Sequence, residues 1–178
     1  MNKKFNTQQL VKAAMIIALG LIIPQAFHSV KNAGSVFLPM HIPVLLAGFF
    51  VDPVLALCVG ILTPILSFLF TGMPPFPILY VMIIELGTYG LVTAIAYNKF
   101  KFNLYVSLLS GMICGRIMSI MGNLIILHLL LSKSFSFVKV ASGLFVTGIP
   151  GIVIQLILIP VIVFGVNKAT KGAVNNNG

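Results

Sequence analysis

The chain has 178 residues, 59% hydrophobic and 7% charged, with eleven Lys and Arg against two Asp and Glu. So few charges cannot clothe a soluble domain of this length, and apolar stretches recur with only short polar breaks, so this is an integral membrane protein. The net charge of +9 does not indicate nucleic acid, because the cations gather at the ends of apolar segments and form no basic stripe.

Six membrane-spanning helices are expected, in one bundle over residues 1–170, with a disordered cytoplasmic tail at 171–178. The first span runs from Gln9 to Phe27; its positive start and apolar centre resemble a signal peptide, but it reads as a retained helix. A short second span covers Pro39–Phe50. Pro53 disfavours helix at Asp52, so "VDP" turns the chain tightly into a third span that ends near Phe70. The second span falls short of the roughly 20 residues a crossing needs, which predicts irregular backbone shielded by neighbouring helices. Spans four, five and six are read as Pro77–Tyr97, Leu104–Leu130 and Phe137–Val166.

The lysines set the orientation. With the N-terminus inside, Lys3, Lys4, Lys12, Lys99, Lys101, Lys168 and Lys171 are cytoplasmic, and only Lys31, Lys133 and Lys139 are external. That distribution predicts cytoplasmic termini and an even number of spans. No internal repeat, phosphate-binding loop or linker interrupts the chain. Cys58 and Cys114 lie in apolar segments without a CxxC spacing, which predicts buried small apolar residues and no metal site.

Polar groups inside a bilayer need a partner or a wet cavity. The candidates are Glu85 on span four, Arg116 and Asn123 with Ser119 on span five, and Thr147 and Gln155 on span six. At a helical rise of 1.5 Å per residue, Glu85 lies roughly 12 Å, Asn123 roughly 10 Å, Thr147 roughly 15 Å and Arg116 roughly 20 Å below the outer surface. One outward-facing cavity can therefore hold them all. Glu85 and Tyr89 share a helical face, whereas Tyr80 is set elsewhere.

A Glu85–Arg116 pair locking two helices together would explain the same residues without any ligand, and the two readings are compatible. His41 lies at the expected cavity mouth, within reach of water; His28 and His128 carry less weight. The polar loop 28–38 and the "TGMPP" turn at 71–75 are expected to wall that mouth. On span one, Ala14 and Ala18 offer a small-residue face to another helix, though internal packing would use the same pattern.

With about 180 residues, six spans, internal termini and no ATPase signature, the chain resembles the substrate-binding S component of an energy-coupling factor (ECF) vitamin transporter. The stretch Ala14-Met-Ile-Ile-Ala18 is similar to the AxxxA motif of the family's first helix, and "FLPMHIPVLLAGFFVDP" also looks like an S component. The resemblance implies capture of a water-soluble vitamin or precursor at a bacterial plasma membrane. It implies docking through Ala14 and Ala18 onto a transmembrane T component with two cytosolic ATPases, so this chain needs no cofactor of its own.

The substrate-binding residues then expected are Glu85, Arg116, Asn123, Tyr89, His41, Thr147, Tyr80 and Phe37. The chain lacks the tryptophan that many relatives stack on a vitamin ring. A pyridine such as vitamin B6 would have to stack on Tyr or Phe, while pantothenate would offer its carboxylate to Arg116. A stand-alone proton-coupled carrier with Glu85 as proton site is the main alternative. A structural subunit leaves the buried charge without purpose, and an enzyme lacks HExxH, a nucleophile elbow or paired acids.

Overall fold

In the computed structural model, the described residues are 6–26, 33–130 and 136–175, and every element among them is helical. The elements are α1 (Thr7–Ala26), α2 (Ala33–Phe37), α3 (His41–Phe50), α4 (Pro53–Thr71), α5 (Ile78–Ala94), α6 (Leu104–Gly122), α7 (Phe137–Ala141) and α8 (Ile149–Asn175). Three helices are extended by wider π-helical turns: α5 over Ile95–Lys99, α6 over Asn123–Leu130 and α7 over Ser142–Thr147.

Five helices are long and apolar enough to cross a membrane: Thr7–Ala26, Pro53–Thr71, Ile78–Lys99, Leu104–Ile126 and Ile149–Thr170. The expected second span is present as two short helices, α2 and α3. Between them Leu38 takes a left-handed backbone, φ 51°, ahead of Pro39. A bulky residue pays a steric penalty in that region, so packing must hold the turn in place. Leu38 is 6% exposed.

The expected sixth span differs more. Instead of one helix from Phe137 to Val166, the chain ends α7 at Thr147, turns at Gly148 and begins α8 at Ile149. Pro150 lacks a backbone N–H, which the first turn of a helix tolerates and an interior does not. The new helix then runs on to Asn175, through residues 171–175 that the sequence assigns to the tail. His28, Lys31, Lys133 and residues 176–178 lie outside the described residues.

Other boundaries follow from local chemistry. Asp52 is extended and Pro53 opens α4 at its first position, while Gly72, φ 71°, closes the same helix with its N–H donating to the Phe68 carbonyl at 2.8 Å. Asn103 caps α6 by accepting from the Val106 N–H at 2.8 Å.

Packing is tightest between α4 and α5. A Cβ on Gly60 would stand 2.8 Å from the Gly87 Cα and closer still to the Leu86 carbonyl, and one on Gly90 would strike the Ala56 carbonyl. Only glycine lets these backbones approach so closely. Around this seam lie the fully buried Val44, Leu45, Ala47, Ala56, Leu86, Leu108 and Ile159. Large apolar side chains such as Met15, Ile22, Leu69, Ile113, Ile157 and Val161 are exposed on the outer faces, which suits contact with lipid. Cys58 is exposed and Cys114 half-buried, contrary to the expected burial; a small apolar side chain is as stable against lipid as in a core.

The two ends of the bundle have different character. At one end Gln9 accepts from the Asp52 backbone N–H at 3.1 Å, and Asn98 donates to the carbonyls of Gly48 and Val51. These bonds tie α1, the α3–α4 turn and the end of α5 together. The opposite end opens into a cavity.

Candidate functional site: a buried ion cluster beneath a cavity

The cavity measures about 880 Å³, within the size range of small-molecule sites. Its lining includes Pro24 and Gln25 on α1, Leu38 to His41 around the α2–α3 turn, Thr71 at the end of α4, and Met73 to Pro75 after it. The remaining walls come from Met82 and Glu85 on α5, Arg116 and Asn123 on α6, and Lys139 to Thr147 on α7.

Glu85 is the centre of the polar wall. It lies seven residues into α5, about 10 Å along the helix. Its Oε1 accepts from Arg116 Nη1 at 3.1 Å, from the Tyr89 hydroxyl at 3.3 Å and from His41 Nε2 at 3.4 Å. Thus α3, α5 and α6 meet at one carboxylate oxygen. Glu85, Arg116 and His41 are each 4% exposed, and Tyr89 is 1% exposed.

The Arg116–Glu85 pairing is the helix lock that the sequence allowed, and it forms part of the cavity wall. His41 departs from expectation: it is buried as the first residue of α3 and joins the ion cluster. Its ring also meets Tyr89 edge to face, with centroids 5.2 Å apart. Tyr89 in turn fills the space over Gly115, where a Cβ would stand 2.9 Å from its ring carbons.

The cluster is not fully satisfied from within. Arg116 Nε and His41 Nδ1 are buried and have no hydrogen-bond partner among the described residues. Each such atom costs about 1–3 kcal/mol relative to a bonded one, so both favour a partner beyond the described residues. With His41 Nε2–H donating to Glu85, a neutral ring leaves Nδ1 as an acceptor, while Arg116 Nε–H remains a charge-assisted donor.

Of the other expected site residues, Asn123 and Thr147 line the cavity, and Asn123 donates from Nδ2 to the Ser119 carbonyl at 2.8 Å. Tyr89 lies behind the wall. Tyr80 is half-exposed beside Phe76, ring centroids 5.3 Å apart, and is not among the lining residues. Phe37 is not among them either; its backbone packs against Gly151. Gln155 is fully buried on α8, away from the lining, with Nε2 unpartnered among the described residues. The "TGMPP" turn is a wall, as expected.

Lys139 was read only as a marker of sidedness, yet it lines the cavity. The break at Gly148 separates α7 from α8, and α7 with its extension forms one wall of the cavity. The "GIPG" at 148–151 was the available signal.

A family model described as "ECF transporter, substrate-specific component" matches residues 8–163. The chain belongs to that family. No curated protein and no solved structure gives a match. The matched range holds the whole ion cluster and most of the bundle. As an ECF substrate-specific component the protein is the substrate-capturing membrane subunit of an uptake transporter, a transport protein and not a catalyst. On its first helix, Ala14 and Ala18 are exposed while Ala13, Ile16 and Gly20 are buried, so the AxxxA face points away from the bundle.

Proposed function

We propose that the cavity takes up a water-soluble vitamin or vitamin precursor from outside a bacterial cell, and that pantothenate and vitamin B6 are the leading types. The observation that carries this is the pair of unpartnered buried atoms, Arg116 Nε and His41 Nδ1, in residues that wall a ligand-sized cavity. Glu85, Arg116, His41, Asn123 and Thr147 form the polar wall, and Tyr89 orients the cluster from behind.

The protein crosses the membrane six times in this reading, with α2 and α3 together as one pass and both termini cytoplasmic. The chemistry supports that sidedness: Lys12, Lys99, Lys101 and Lys168 belong to the end away from the cavity. Loaded protein joins a T component through Ala14 and Ala18, and two cytosolic ATPases drive release. The chain itself uses no cofactor.

Mass spectrometry of small molecules released from the purified, denatured protein tests the capture reading. A stoichiometric vitamin is expected, and Arg116→Ala should lower its affinity far more than Asn123→Ala, because only the former removes a charge-assisted donor. Equal, small effects would reduce the cluster to a helix lock. One observation favours a second reading: the contacts of Glu85 with His41 and Tyr89 resemble a proton relay. Uptake into liposomes by this chain alone, driven by a proton gradient, would establish that carrier instead.

A further inference from the structure

We infer that the cavity is built for an open-chain carboxylate carrying a neighbouring hydroxyl or amide N–H, and not for an aromatic ring. This rests on the capture reading above and narrows it to a ligand chemistry. Three features of the wall lead to it.

The first is what the wall lacks. Among the described residues, no Phe or Tyr lines the cavity; His41 is its one aromatic side chain, and its ring already packs edge to face with Tyr89. The half-buried Phe68 and the exposed Phe76 and Tyr80 pack edge-to-face and tilted against one another outside the lining. Among the described residues a planar heterocycle therefore meets no aromatic platform, and ring stacking is a main source of affinity for such ligands. The apolar part of the lining is aliphatic, with Leu38, Met82, Ile78, Leu144, Pro74 and Pro75. That surface fits a branched aliphatic chain, and methionine adapts to an irregular one.

The second is charge. Glu85 is the single acid among the lining residues, against Arg116 and Lys139. Glu85 already accepts three hydrogen bonds, so the positive surplus falls to an anion from outside. The exposed Lys139 steers it in, and Arg116 receives it deeper down.

The third is the pairing of unmet groups. Arg116 Nε–H is a donor and His41 Nδ1 an acceptor, and both side chains contact Glu85 Oε1. A ligand that offers an anionic acceptor and a neutral donor could satisfy both. Both atoms are closed to solvent, so the two side chains must turn slightly as the ligand arrives.

Radiolabelled pantothenate, an aliphatic carboxylate with amide and hydroxyl donors, is the probe. Binding to the full-length protein in detergent is measured by equilibrium dialysis, with panthenol (the same chain with an alcohol for the carboxylate) and pyridoxine as competitors. The inference expects saturable binding, with panthenol at least 30-fold weaker and pyridoxine unable to displace the label. R116Q should abolish the preference for carboxylate over alcohol. Should R116Q not fold, K139Q at the exposed rim should lower pantothenate affinity several-fold and flatten its salt dependence. Displacement by pyridoxine, or equal affinity for panthenol and pantothenate, overturns the inference. If pantothenate fails to bind and an aromatic compound co-purifies stoichiometrically, the inference falls and capture stands. A protein that holds no compound and binds none of the three overturns both.

Discussion

Arg116 Nη1 lies 3.1 Å from Oε1 of Glu85, joining α6 to α5 by an ion pair with each partner 4% exposed. Breaking a buried pair by removing one partner costs about 3–5 kcal/mol, mostly from the charge left behind, whereas replacing both with apolar residues of similar size is often nearly neutral. Glu85→Ala should therefore lower thermal stability in detergent sharply, and the double variant Glu85→Met with Arg116→Met should recover most of the loss while binding no ligand. A double variant as unstable as the single would mean the pair itself holds the helices.

Tyr89 is the next member outward from that pair. Gly115→Ala would place a Cβ 2.9 Å from the Tyr89 ring, so the ring must move and its hydroxyl must leave Glu85. Overpacking of this kind costs about 1–3 kcal/mol. Tyr89→Phe, which removes only the hydroxyl, should cost about 1 kcal/mol. Thermal shifts of both variants check the order, and Gly115→Ala should be the more damaging.

The α4–α5 seam gives a sharper contrast. At Gly60 and Gly90 an added methyl meets backbone, which cannot yield as a side chain can, whereas at Gly165 nothing lies within 4 Å. Gly60→Ala and Gly90→Ala should each lose more than about 2 kcal/mol, and Gly165→Ala should be neutral or gain up to about 1 kcal/mol from helix propensity. Monodispersity on size-exclusion chromatography and unfolding midpoints distinguish them.

On α1, Ala14 and Ala18 are exposed. Exchange for Leu should leave the fold within about 0.5 kcal/mol of the parent, as exposed sites usually do. Co-purification with a tagged T component should fail, with ligand affinity kept. Assembly that survives both changes moves the docking face elsewhere.

Much of this was legible in the sequence, because the bilayer punishes exceptions. Apolar stretches of spanning length led to the helices, and the cost of an isolated intramembrane charge pointed Glu85 towards Arg116. What was hidden depended on chain direction after a break. "GIPG" looks like four small and apolar residues inside a long hydrophobic run, yet it separates α7 from α8, and Lys139 on α7 lines the cavity. His41 was expected at the cavity mouth and does line the cavity, but its nearness to the outer loop suggested water, whereas it is 4% exposed beside Glu85. Tyr80 and Phe37 were chosen as aromatic substitutes for tryptophan, and helix rotation carried both away from the lining.

The glycine seam between α4 and α5 and the lightly buried α7 border the same volume from different sides. Backbone welded to backbone at Gly60 and Gly90 admits no sliding, whereas α7 and its π-helical extension contribute no buried residue among those described. Local opening follows the region with the fewest buried contacts. Stiffness and compliance are thus divided across the cavity: α5, which bears Glu85, is pinned along the seam, whereas the segment bearing Lys139 has little burial to hold it in one place.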